Sequence, residues 1–92
     1  MKASEARKLI REYYEYRGEK VKVLRKLKQT VYPGTDFEHQ VEGYLCLTDK
    51  NKYTVVELSY DSHNDPYAKE VVWGGSEDGA IKEWRDTFEY DS

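Results

Sequence analysis

Three groups of residues in this 92-residue chain have the types and spacing that chemistry would need. The first is Asp61-Ser62-His63-Asn64-Asp65, in which carboxylate, imidazole and carboxylate alternate as a divalent cation would require. A helix–loop–helix calcium loop needs glycine after its third ligand and glutamate six residues later, where this chain has Pro66 and Val72. The segment therefore reads as an Asx-rich turn between strands, and no metal is expected. The second group is Cys46 with His39, a possible thiol and base. Cys46 is the only cysteine, so no intramolecular disulfide can form, and its setting in Gly43-Tyr44-Leu45-Cys46-Leu47 is that of a small buried hydrophobe and a poor nucleophile. No phosphate-binding loop, dinucleotide fingerprint, zinc-ligand spacing or nucleophile elbow occurs, so neither catalysis nor a cofactor is expected.

The third group is charge. A net charge of −3 conceals a division along the chain: residues 1–30 carry ten Lys/Arg against four Glu, a balance of +6, and the remaining 62 carry a balance of −9. One reading gives the molecule two electrostatic faces. The other lets basic and acidic segments neutralise each other on folding. On the first reading, Lys20, Lys22, Arg25, Lys26 and Lys28 line a basic strand, with Arg7, Lys8 and Arg11 on the helix before it. Tyr13, Tyr14, Tyr16 and Tyr32 would offer rings for unpaired bases. Carboxylates spaced along the acidic remainder would instead imitate phosphates before a basic protein channel. The acidic partner-binding candidates are Asp61, Asp65, Tyr67, Glu70, Glu77, Asp78, Glu83 and Asp86, with Tyr60, Glu89, Tyr90 and Asp91 beside them.

The elements that must position these groups follow from pattern and punctuation. Ser4 is a candidate N-cap, Ala6, Leu9, Ile10, Tyr13 and Tyr14 recur at helical spacing, and Gly18 stops a helix expected over about 5–16. Residues 19–32 alternate as a strand, with Val21 and Val23 inward, until the pattern slips at Leu24-Arg25, the mark of a β-bulge. Pro33-Gly34 is a turn pair, and Val41, Gly43, Leu45 and Leu47 define a second strand. Asp49-Lys50-Asn51 forms a hairpin loop with Asn51 left-handed; residues 53–60 and 67–73 are the third and fourth strands, and Gly74-Gly75 ends the sheet. Ser76 caps a last helix whose apolar stripe is Ala80, Ile81, Trp84 and Phe88. The expectation is one α+β domain over 1–92, an antiparallel meander of about four strands flanked by an N-terminal and a C-terminal helix (α-β-β-β-β-α), with both helices on one face. Thirteen aromatic residues support a core that buries roughly 60–65% of the unfolded surface. No apolar leader or membrane-length run is present, so a cytoplasmic protein with no membrane partner is expected.

This layout, with Leu9-Ile10-Arg11-Glu12, Val21-Lys22-Val23-Leu24, Val71-Val72, Ser76-Glu77-Asp78 and Ile81, resembles that of small phage-encoded anti-CRISPR inhibitors of RNA-guided nucleases. The resemblance implies a non-enzymatic protein acting in the host cytoplasm. Its partner would be a nucleic-acid-handling enzyme whose basic channel it blocks as a DNA mimic. A second resemblance, carried by Gly43, Leu45, Asp49 and Val71-Val72-Trp73-Gly74, is to Sm-like RNA-binding barrels, with Trp73 where those barrels usually have arginine. It implies direct binding of RNA or DNA through the basic strand. A third reading is a structural subunit that self-associates, basic face on acidic.

Overall fold

Four strands pair only with their neighbours in sequence. The computed structural model describes residues 2–88, in the order α1 (Ala3–Tyr16), β1 (Val21–Val31), β2 (His39–Thr48), β3 (Tyr53–Tyr60), β4 (Pro66–Gly74) and α2 (Glu77–Asp86). The strands form one antiparallel sheet in the order β1-β2-β3-β4, which leaves β1 and β4 as its open edges. This is the expected α-β-β-β-β-α meander. The open sheet is not the closed barrel that the Sm-like resemblance implied. No helix among the described residues is long and apolar enough to cross a membrane.

Local chemistry accounts for the boundaries. α1 begins earlier than the sequence indicated: Lys2 is its N-cap, without a side-chain cap, and Ser4 lies inside the first turn. Gly18 takes φ +76° and donates to the Glu15 carbonyl while Glu19 donates to that of Tyr14, the paired bonds of a Schellman stop. Gly34 also has positive φ, in the turn closed by the Thr35 N–H on the Tyr32 carbonyl, and Asn51 takes φ +59° between β2 and β3. Ser76 accepts from the Gly79 N–H at 3.0 Å and caps α2.

The helices cover opposite faces of the sheet, not one. Ile10 and Tyr14 of α1 pack on Cys46, Val56 and Ala68, whereas Ala80 and Trp84 of α2 pack on Leu27, Leu45 and Val55. Successive strand residues point to opposite faces, so Leu45 and Cys46, or Val55 and Val56, serve different cores. The physical reason is that β2 and β3 are apolar at both parities through their centres, as strands buried on both sides are.

A bulge in each edge strand adjusts the outer strands to this arrangement. In β1 the register shifts between Val23 and Arg25, at the slip that the sequence shows. Val21 and Val23 thus face α1, while Leu24 and Leu27 face α2. In β4 the shift lies at Val71, so that Ala68 and Glu70 face α1 but Val71 and Val72 face α2. Without the extra residue, each strand would send one half of its apolar set to the wrong side.

One polar network is built into the α1 side. The Tyr14 hydroxyl donates to Glu70 Oε1 at 2.8 Å and lies 2.7 Å from Thr54 Oγ1, which therefore supplies the second proton. Lys52 Nζ stands 3.5 Å from Glu70 Oε2, so that carboxylate is satisfied on both oxygens. On the other face, the Trp84 indole N–H donates to Glu57 Oε2 at 2.8 Å.

Candidate functional site

Arg7, Arg11 and the cations of β1 come together where one flank of α1 meets the open edge of β1. Arg7 and Arg11 stand one turn apart on α1. With Val21, Lys22 and Val23 they line one shallow groove, and Arg7 with Val23, Arg25, Lys26 and Tyr44 lines the next. Lys22, Arg25, Lys26 and Lys28 are exposed along the strand, and Lys20 is exposed just before it. Cross-strand pairing puts Lys26 and Lys28 opposite Tyr44 and Glu42 on the α1 side, and Lys22 and Arg25 opposite Leu47 and Leu45 on the other. The bulge at Leu24 is what brings Arg25 and Lys26 to the same stretch of edge as Arg7.

Neutralisation within the fold is slight. Lys26 Nζ lies 2.7 Å from Glu42 Oε2, a hydrogen bond that raises the ammonium pKa above its ordinary value. Among the described residues Arg7, Arg11, Lys20, Lys22, Arg25 and Lys28 have no carboxylate within ion-pair distance. The division of charge in the sequence thus survives folding on this side. Lys8, by contrast, is turned toward Glu12.

The rings expected to accompany the cations are only partly available. Tyr14 is fully buried, and its hydroxyl is committed to Thr54 and Glu70, so it offers no stacking surface. Arg17 covers one face of Tyr13 at 3.7 Å. Tyr16 is 91% exposed, and Tyr32 is partly exposed at the far end of β1.

The acidic candidates are dispersed. Asp61 and Asp65 sit in the β3–β4 hairpin, where Asp61 Oδ1 accepts from the His63 and Asp65 main-chain N–H groups at 2.8 and 3.0 Å. The segment is therefore an Asx turn, and no metal-holding cluster occurs among the described residues. Glu77 and Asp78 occupy the first turn of α2, beyond the other end of nine-residue β4, a run of about 26 Å at ~3.3 Å per residue. Glu70 points to the α1 side into the Tyr14 network, whereas Tyr67, opposite Ser59, lies toward the α2 side. Asp86 pairs with Lys82 at 2.7 Å, and Glu83 is exposed on α2. What stays together is the hairpin tip, with Tyr60, Asp61, Asp65 and Tyr67 all exposed. Glu89, Tyr90 and Asp91 lie outside the described residues.

The thiol candidate resolves just as plainly. Cys46 is fully buried, its Sγ–H directed to the Tyr44 carbonyl, and burial pushes its pKa up to about 12. His39, seven residues along the same strand, is about 23 Å away by strand rise. The pair does not meet. Comparison of the chain with protein-family models, with curated proteins and with solved structures gives no match. Sequence alone had marked the β1 cations and Arg7 and Arg11, but not that β2 and β3 pair only from Tyr44/Val56 to Leu47/Tyr53, which no motif signals.

Proposed function

We propose that this protein is a non-enzymatic binding module that engages nucleic acid through the α1–β1 edge. The observation that carries the reading is the set of six exposed cations, without ion-pair partners among the described residues, on one helix flank and one open strand edge. Their spacing along an extended strand suits successive phosphates of a backbone, and Tyr16 adds a free ring near one end. Fluorescence anisotropy with labelled single- and double-stranded oligonucleotides over a salt series tests it. Engagement of about six phosphates gives a log–log salt slope of about −4 for single strands and about −5 for duplex. Lys22→Glu with Arg25→Glu is expected to weaken binding at least tenfold and to flatten the slope by about 2. Absence of binding at low salt, or an unchanged slope in the double variant, would remove this reading.

A second reading is favoured by the hairpin tip. There Tyr60, Asp61, Asp65 and Tyr67 offer rigid aromatic area beside carboxylates, a surface suited to a basic protein partner, as an inhibitor of a nucleic-acid-handling enzyme would need. Asp65→Lys with Tyr67→Ala spares the Asp61 turn. This reading expects the double variant to lose capture of such an enzyme while the β1-edge variant retains it. The reverse pattern would exclude it.

A further inference from the structure

The sheet is forked. β2 stays paired with β1 out to Val31/His39, and β3 with β4 out to Tyr60/Pro66, yet β2 and β3 pair only from Tyr44/Val56 to Leu47/Tyr53. In an antiparallel ladder hydrogen-bonded pairs alternate with non-bonded ones. The Thr48 N–H donates to the Lys52 carbonyl at 3.0 Å, which places the next bonded pairs at Cys46/Thr54 and Tyr44/Val56. Glu42/Leu58 and Gln40/Tyr60 would follow, and neither forms. The main-chain amides and carbonyls of these four residues therefore face a cleft of about 320 Å³ without ladder partners. Gln40, Glu42 and Tyr44 line one arm, and Glu57, Leu58 and Tyr60 the other. At the crotch Trp84 lies over Gly43, where an added Cβ would come within 2.9 Å of the indole, and its N–H holds Glu57.

We propose that this cleft is a strand-acceptor site for an extended, basic segment of a protein partner. Unpaired strand edges bind extended chains through main-chain hydrogen bonds. Charge selects the occupant, because the charged side chains of the lining are Glu57 and Glu42, and Lys26 offsets only the second. The two carboxylates leave the sheet on opposite faces, Glu42 toward the side of α1 and Glu57 toward that of α2. Each has one oxygen engaged, Glu42 Oε2 by Lys26 and Glu57 Oε2 by Trp84. Neighbouring residues of an inserted strand also point to opposite faces, so two consecutive lysines would send one ammonium to each glutamate. The chain's own Glu-Tyr-Asp-Ser terminus has the wrong charge for this, and the basic run of a second copy is held within its own sheet.

The test uses the ¹⁵N-labelled full chain and the capped hexapeptide Thr-Val-Lys-Lys-Val-Thr. Amide shifts and exchange protection are expected to change at Gln40, Glu42, Leu58 and Tyr60. The Glu-Glu analogue and a backbone N-methylated analogue should each bind at least tenfold more weakly. Glu42→Gln with Glu57→Gln, which keeps an acceptor for Trp84, should weaken the lysine peptide at least fivefold at unchanged circular dichroism. Slow exchange of those four amides in the free protein, equal binding of the N-methylated peptide, or no shift at millimolar peptide would overturn the proposal. Peptide shifts confined to the open edges of β1 or β4 would do so too, as would concentration-dependent shifts at the same four amides without peptide, the signature of a second copy.

Discussion

Replacing Gly43 with alanine tests whether the α2 core is as tightly closed as its geometry indicates. A Cβ at this position would lie 2.8 Å from Val55 Cγ1 and 2.9 and 3.0 Å from Trp84 Cζ2 and Cε2, all inside van der Waals contact. Val55 and Trp84 are fully buried, so neither has free volume to retreat into. The indole would have to slide, and sliding stretches its bond to Glu57. Overpacking of this kind costs about 1–3 kcal/mol, and loss of the Trp84–Glu57 bond adds on the order of 1–2. Alanine's lower backbone entropy cost in a strand returns about 0.5–1 kcal/mol. The net expectation is a loss of about 1–4 kcal/mol. At ~4–8 °C per kcal/mol for a chain of this size, Tm should fall by roughly 4–32 °C. Thermal melts by circular dichroism, with urea titrations read by tryptophan fluorescence, measure it. Gly75→Ala is the internal control, because a Cβ there meets nothing within 4 Å, and it should change stability by no more than about 0.5 kcal/mol. If Gly43→Ala melts with the parent, as Gly75→Ala is expected to, the packing argument at the fork fails.

Three further outcomes follow from the same physics. Tyr14→Phe removes a hydroxyl bonded to Thr54 and Glu70 and should cost about 1–3 kcal/mol in urea titrations, since Thr54 keeps a buried, unpaired group. Ser76→Ala should cost about 0.5–2 kcal/mol, seen chiefly as fraying of α2 in amide exchange. The pH dependence has a definite sign: burial holds the Cys46 thiol up to about 12 in the folded chain, against an ordinary value of 9.0, and raises Tyr14 as well. Below pH ~8 both groups are protonated in both states and contribute no slope. Above that the unfolded chain loses its protons first, so stability should fall by about 1.4 kcal/mol per pH unit from roughly pH 9 and more steeply above pH 10. Cys46→Ala should flatten the first part of that fall, and a flat profile to pH 11 in the parent would contradict the burial.

What the sequence revealed and what it concealed divide along physical lines. Turns and stops were legible because single residues determine them: Gly18, Gly34 and Asn51 take the positive φ their positions demand, and Ser76 caps with its own oxygen. The bulge at Leu24-Arg25 was legible as a slip in period two. The second bulge, at Val71-Val72, was hidden because two adjacent valines look like an ordinary strand. The placement of the helices was misjudged although Tyr44-Leu45-Cys46-Leu47 and Tyr53-Thr54-Val55-Val56 contain its signal, apolar side chains at both parities. The candidate site was half legible. Cations on one strand and its preceding helix stay together because a short turn keeps those elements adjacent. Carboxylates spread over a hairpin, a strand and a helix were separated by the length of β4, and Glu70 was drawn inward by a tyrosine 56 positions away.

That last pairing has a kinetic consequence. Strands joined in sequence order close short loops first, so the meander and its hairpins form from local contacts at low entropic cost. The hydroxyl of Tyr14 reaches Thr54 and Glu70 only after the whole sheet exists to receive it. α1 is therefore expected to engage as a latch behind the rate-limiting barrier. Its removal should quicken unfolding and leave the refolding rate nearly untouched. How long the native state persists would then be governed by one end of the chain, and how quickly it is reached by the middle.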